Sequence, residues 1–402
     1  MRKYLLKNFF PFTFYMILTL TLTGCINSKD KTDRDFINKQ IKEMSVEEKI
    51  GQMLMFGLDE GKVDIEAEEF IKEHHIGGII LNKYNIKSSD QLLQLNNKIK
   101  QLNTKTTTIP IFISVDEEGG VISRMPAGIK NLPDSKVIGD KNNSKLAYQV
   151  GEAIGERVAA FGFNMTHAPV LDINSNAQNP IIGKRAFGSN EKTVSNIGIA
   201  EMKGIQSKNI IPVIKHFPGH GDTVVDSHKE LPVVNHDMSE LKKMELVPFK
   251  KAIKQNADMT MVAHILMQKI DQGNPSSLSR KVVTDLLRNT LHFNGVVITD
   301  DLTMGAILKN YDIGEAAVKA IKAGNDIVLV CHGYENKIRV INSIQNAVKE
   351  GDITEKQINE SVYRILKLKE KYHLNDKEIN KVDLKKINKS SENIYHSVGN
   401  KE

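Results

Sequence analysis

From Phe36 onward the chain alternates two apolar patterns. Short continuous runs, rich in β-branched and aromatic residues, are separated by longer stretches in which apolar residues recur at helical spacing. The runs are QMLMFGL (52–58), GGIIL (77–81), IFISVD (111–116), FNMTHAPVLD (163–172), PVIKHF (212–217), MTMVAHI (259–265), GVVITDDL (295–302) and DIVLVC (326–331). Runs of this kind fit strands buried on both faces. The stretches SVEEKIGQML, SDQLLQLNNKIKQL, AYQVGEAIGERVAAF and SRKVVTDLLRNTL predict helices, the first opening with Ser45 and Glu48 at capping-box spacing. Strands alternating with helices predict a parallel sheet. Eight such units over about 330 residues predict an α/β fold of the closed (β/α)8, TIM-type barrel kind, one domain spanning 36–374. A doubly wound open sheet is the competing arrangement, but the glycine-rich phosphate turn it needs after an early strand is missing.

The ends read differently. MRKYLLKNFF carries three positive charges and PFTFYMILTLTLTG follows as an apolar run, so residues 1–24 have the layout of a secretory signal. The run ends in LTGC, which resembles a bacterial lipobox. That resemblance implies diacylation of Cys25 and a protein held at the extracytoplasmic face of the cell membrane. Residues 25–35 read as the tether between lipid and domain. Residues 375–402 are polar and rich in Lys and Asn, and predict a loosely attached tail. Cys25 and Cys331 are the only cysteines. With Cys25 acylated no internal disulfide can form, and Cys331, ending an apolar run, reads as a buried, inert thiol. The net charge of +6, from 55 basic and 49 acidic residues, is spread along the chain and gives no nucleic-acid stripe.

Barrel chemistry collects at the carboxyl ends of the strands, and polar groups cluster there in ISVDEEGGVISR, HAPVLDIN, KHFPGHGDT, AHI and TDDLTM. Buried charges are costly unless paired or used. The segment IKHFPGHGDTVVDSH (214–228) alone holds three histidines and two aspartates. His216, His220, His228 and His264, with Asp300, could supply metal ligands, although strand one lacks the early His-x-His pair such sites bring. No P-loop residues accompany the glycines. Asp226 beside His228 suits proton transfer, because a carboxylate on an imidazole raises its proton affinity and fixes its tautomer. The residues alone leave metal and proton-transfer readings open.

VDEEGGVISR (115–124), GKRAFG (183–188), KHFPGHGDTVVDSH (215–228) and TDDLTM (299–304) resemble, in order and over nearly the whole mature chain, glycoside hydrolase family 3, in particular its β-N-acetylglucosaminidase branch. One departure is Asn82 in GIILNKYN, where the family usually has an aromatic residue. The resemblance implies a retaining exo-enzyme that removes terminal non-reducing N-acetylglucosamine from cell-wall muropeptides or chito-oligosaccharides. It implies Asp300 as nucleophile, His228 as acid/base and Asp226 as its partner. Asp116, Arg124, Arg185, Lys215 and His216 would bind sugar hydroxyls, with no metal and no cofactor. Partners are then the glycan and, through Cys25, the membrane. Asp301 would pair or cap a turn, and His220 would brace its loop. His264 and Asp172 stand equally between contact and support, and Glu117 and Glu118 are unassigned. His74, His75, His167 and His236 read as solvated or packing residues. The rival readings are a β-glucosidase, a phosphorylase, a metal-dependent hydrolase and a non-catalytic glycan-binding surface lipoprotein.

Overall fold

The computed structural model describes residues 34–399. The signal segment, Cys25 and the tether up to residue 33 lie outside the described residues. The chain divides into two units, the first ending at Ser45 and the second beginning at Val46. In the first, residues 34–43 are helical, so the last two positions assigned to the tether open a helix.

The second unit is a closed barrel of eight parallel strands, each paired with its neighbours in chain order. They are β1 (Leu54–Gly57), β2 (Gly78–Leu81), β3 (Phe112–Val115), β4 (Met165–Thr166), β5 (Ile211–Phe217), β6 (Met259–Val262), β7 (Val296–Asp301) and β8 (Ile327–Val330). β8 closes the ring on β1, with Leu54 opposite Val328 and Phe56 opposite Val330. Every one of the eight apolar runs supplies one strand. The strands are buried because helices cover the outer face and side chains fill the interior. Outside β5 and β6, Phe217 meets Phe249 edge-on at 5.4 Å within a cluster that includes Leu246, Val262 and Val297.

Helices Val46–Gln52, Ser89–Asn103, Ser144–Ala160 and Lys281–Thr290 occupy the predicted stretches, the last wound as a π-helix. Two short strands, Val233–Val234 after β5 and Leu266–Met267 after β6, form a parallel pair outside the barrel.

The C-terminal segment departs from expectation. Rather than a loose tail, residues 375–399 pack on the barrel. Ile379 exchanges two hydrogen bonds with Asn97, at 2.8 and 3.0 Å, and Leu384–Val398 forms a helix, capped by Asp383. The reason is positional. Ile387, Ser391, Ile394 and Val398 are buried and recur every three or four residues, so one narrow face carries what little apolar content the segment has.

Candidate active site

The carboxyl ends of the strands surround one cavity of about 200 Å³. Asp116, Arg124, Arg185, Lys215, His216, His228 and Asp300 all line it. Of the eight expected site residues only Asp226 stands outside the lining, directly behind His228.

Asp116 follows β3. Its carboxylate accepts from Lys215 Nζ at 2.8 Å, and the same ammonium lies 2.7 Å from Glu118 Oε1. Arg185 grips Glu118 in a bidentate pair, Nε to Oε2 at 2.9 Å and Nη2 to Oε1 at 2.8 Å. Its Nη2 also approaches His216 Nε2 at 3.4 Å. His216 in turn bonds Asp172 Oδ2 through Nδ1 at 2.6 Å. A continuous band thus runs Asp116–Lys215–Glu118–Arg185–His216–Asp172 across β3, β4 and β5. Its members charge each other. Burial opposes the ionised forms, yet Lys215 and its neighbours hold Asp116 well below the usual carboxylate range. Arg185 and Lys215 bring Glu118 to about 2, again against burial. Asp116 and Glu118 likewise push Lys215 up, despite its burial. Fixed charges of this kind present hydrogen-bond donors and acceptors without reorganising.

Gly120 makes the turn after Glu118 possible. Its φ is +54°, and a Cβ there would stand 2.2 Å from Asp134 Oδ1. Arg124, further along the loop, has its N–H on Glu117 Oε2 at 3.0 Å. Its Nε is buried and without a hydrogen-bond partner among the described residues.

The loop after β5 carries the Asp–His pair. Asp226 Oδ1 accepts from the His228 backbone N–H at 2.9 Å and bonds its ring Nδ1 at 2.8 Å. Burial raises the Asp226 pKa, but these His228 contacts lower it more, so it stays below the usual value. The His228 side chain is 64% exposed, open to the cavity mouth. His220 braces the loop, with Nδ1 on Thr223 Oγ1 at 2.8 Å and Nε2 on Ser227 Oγ at 3.0 Å. Burial pushes His220 down to about 4, which keeps the ring neutral. A Cβ on Gly221 would fall 1.6 Å from Ile173 O, so only glycine lets the loop lie this close to the β4 segment.

Asp300 and Asp301 end β7 and have different surroundings. Asp301 is spent on the turn and the next strand, accepting from Thr303 N–H and Cys331 N–H, both at 2.9 Å. Asp300 accepts the Asp301 N–H at 2.9 Å and faces the cavity. Burial disfavours its charge, but His264, His216, the Asp301 N–H and His228 hold its pKa below the usual value. His264 lies behind this strand end, bonding Asp301 O at 2.9 Å and Ser277 Oγ at 2.6 Å. His264 and Asp172 both take supporting positions.

The histidines weighed as metal ligands are therefore committed to separate partners: Asp172, Thr223 with Ser227, Asp226, and Ser277 with Asp301. Among the described residues no group of three metal-ligating side chains converges on one point. Sequence reading missed Glu118, the centre of the charged band, although its place in VDEEGG was a signal. It also missed His167, which lines the cavity 3.7 Å from Asp116 and is pushed by burial to about 4. His236, left without a role, bonds Asp222 of the loop at 2.8 Å.

A parallel barrel with an Asp–His pair, a strand-end aspartate and a band of charged groups around one cavity defines a barrel enzyme site. The chain belongs to glycosyl hydrolase family 3: the family model for the "Glycosyl hydrolase family 3 N terminal domain" matches residues 45–368. Beta-hexosaminidase A of Pseudoalteromonas piscicida is 32% identical over 329 residues, covering 76% of this chain and 55% of that protein. The chain thus spans about half the length of that relative. A beta-hexosaminidase of Nitrosomonas eutropha is 34% identical over 67% of this chain and 78% of its own length. Among solved structures, a family 3 beta-N-acetylglucosaminidase from Paenibacillus sp. superposes with a TM-score of 0.83 at 36% identity, covering 88% of this chain and 69% of that one.

Proposed function

We propose that this protein is a retaining exo-β-N-acetylglucosaminidase that cleaves terminal N-acetylglucosamine from cell-wall muropeptides or chito-oligosaccharides. The observation that supports the reading is that the Asp226-bonded His228 and Asp300 line the same cavity as the Asp116–Lys215–Glu118–Arg185 band. In this reading Asp300 attacks the anomeric carbon and forms a glycosyl-enzyme. His228, cationic, protonates the leaving oxygen, and the neutral ring then takes a proton from water as the intermediate is hydrolysed. Asp226 stabilises the imidazolium. Asp116, Arg124, Arg185, Lys215 and His216 hold the hydroxyls of the sugar. The homologous hexosaminidases support the sugar class. The reaction as drawn uses no metal and no cofactor. Cys25 carries the lipid that keeps the enzyme at the extracytoplasmic face of the membrane.

The deciding experiment is hydrolysis of an aryl N-acetylglucosaminide by the wild type, Asp300→Ala and His228→Ala, with and without inorganic phosphate. Asp300→Ala is expected to be nearly inactive. His228→Ala should lose less on an acidic leaving group than on an alcohol, because the former needs little proton assistance. Equal losses on both would remove His228 from the acid role. Release of sugar 1-phosphate would make the protein a phosphorylase, a chelator-sensitive wild type a metal enzyme. For the anchor, detergent-phase partitioning of the expressed full chain should be abolished by Cys25→Ala.

A further inference from the structure

The family match ends at residue 368, yet the helix Leu384–Val398 beyond it reaches the substrate side of the barrel through a chain of short contacts. Asn388 pairs with the backbone of the loop after β3, accepting from Lys130 N–H at 2.7 Å and donating to Gly128 O at 2.8 Å. Ser391 Oγ donates to Lys130 O at 3.0 Å. The Lys130 ammonium sits over the Tyr395 ring, 5.5 Å from its centroid. Ser391 Oγ also accepts from Arg157 Nη2 at 2.6 Å, and the same nitrogen reaches Lys130 O at 3.2 Å.

Arg157 then passes inward. Its Nη1 meets Glu117 Oε1 at 3.0 Å, and both side chains are wholly buried. The other oxygen of Glu117 receives the Ser123 hydroxyl at 2.8 Å and the Arg124 N–H at 3.0 Å. One carboxylate thereby binds the helix, by way of Arg157, to the backbone of the residue that projects into the sugar cavity. Glu118, next in sequence, is the centre of the charged band. A wholly buried ion pair is costly unless the hydrogen bonds around it are made, and Ser391, with Lys130 O, supplies the partners of Arg157 Nη2.

We propose that the C-terminal helix is a positioning element of the substrate site: through Asn388, Ser391 and the buried Arg157–Glu117 pair it holds the loop that presents Glu118 and Arg124 to the sugar. This rests on the function proposed above for its kinetic readout, but not for its structural one. Asn388 and Ser391 touch no substrate. They act through Arg124, which lines the cavity and whose buried Nε has no hydrogen-bond partner among the described residues.

The test uses the full chain with Asn388→Ala, Ser391→Ala and the pair, and with Lys385→Ala, an exposed position of the same helix, as control. The paired variant should raise KM for an aryl N-acetylglucosaminide roughly fivefold and leave kcat within about twofold, in the range found for coupling through packed networks. Amide exchange over residues 119–131 should accelerate, while that of β5 and β7 stays as in the wild type. In an Arg124→Met background the KM effect should vanish, since the residue it acts through is gone. A KM rise that persists in full in that background, or unaltered exchange in the loop, overturns the proposal. Asn388→Ala removes a half-exposed side chain, so the exchange measurement is made on this single variant as well as on the pair. A wild type inactive on every N-acetylglucosaminide would refute the functional reading alone, and loop exchange would still decide for or against the clamp.

Discussion

Gly305 N–H donates to the carbonyl oxygen of His228 at 3.1 Å, and a Cβ on Gly305 would stand 2.6 Å from that same oxygen. The neighbouring bond, Ala306 N–H to Ser227 O at 3.1 Å, repeats the contact one residue along. The loop that carries His228 is thereby stitched to the turn that follows Asp300, and the spacing between the proposed acid and nucleophile depends on a residue with no side chain. Gly305→Ala should push the loop away. A displacement of this size costs orientation rather than sugar binding, so kcat is expected to fall about tenfold or more with KM changed little. Steady-state kinetics on the aryl substrate, alongside an unchanged melting temperature, would show it. Wild-type kcat in the variant would mean that the loop is free to move without cost.

Asp226 bears on the same proton. Replacing it with Asn keeps an oxygen that can accept the His228 N–H but removes the charge that favours the imidazolium. Activity on an unactivated disaccharide should drop roughly a hundredfold, the usual scale of general acid assistance, and activity on an aryl substrate with an acidic leaving group should drop far less. In the proposed reaction the acidic limb of the pH–rate profile reports Asp300, whose pKa is held below the ordinary carboxylate value. It should stay where it is in Asp226→Asn. Movement of the acidic limb alone would reverse the two assignments.

How far the sequence could be read depended on how local each signal was. All eight strands announced themselves because a strand covered on both faces must be apolar throughout. The fourth run was ten residues long, yet β4 is only Met165–Thr166. Pro169 lacks the N–H a ladder needs, and the strand resumes only as the isolated bridge of Val170 with Lys215. The site residues near the strand ends were legible as motifs. Their partners were not, since Glu118 with Arg185 and Glu117 with Arg157 are pairings between distant segments that leave no periodic trace. The C-terminal helix was hidden by composition. Its polar face outweighs the stripe of Ile387, Ser391, Ile394 and Val398, which only spacing reveals.

His167 makes a pH-dependent contribution to stability whose sign follows from its burial. Its pKa is pushed from 6.5 to about 4 in the folded protein, burial outweighing the attraction of Asp116. Between those values the unfolded chain binds a proton that the native state refuses, so stability falls as pH drops from 6.5 towards 4. Such a shift corresponds to about 3 kcal/mol at most. His167→Phe removes the titration with little change of volume. The difference in unfolding free energy between wild type and variant should shrink or reverse on the acidic side, as followed by urea titration at pH 7 and pH 4.5. Parallel pH profiles for the two proteins would show that this imidazole is charged, or solvated, in the native state.

Lys369 poses the same case in a more alkaline window, at the amino-terminal end of the barrel. Its ammonium is buried over the Phe112 ring, 4.5 Å from the centroid, and donates to Gln52 Oε1 at 2.7 Å and Gly77 O at 3.2 Å. Burial lowers its pKa to about 7, only partly offset by Asp376. In the unfolded chain the group titrates near 10.4. Between about pH 7 and 10 the unfolded state therefore holds the extra proton, and this lysine makes stability rise with pH across that window. Lys369→Met abolishes the titration and leaves Gln52 Oε1 unpaired, while Gly77 O keeps the Phe112 N–H at 3.0 Å; the lost acceptor costs about 1–3 kcal/mol, which the relief of a desolvated amine opposes. At pH 7 the variant should unfold at nearly the wild-type urea concentration. At pH 9.5 the wild type should be the more stable by up to about 3 kcal/mol. A constant difference across the two pH values would mean that the amine keeps its proton in the folded barrel, and that the two acceptors and the aromatic ring outweigh its burial.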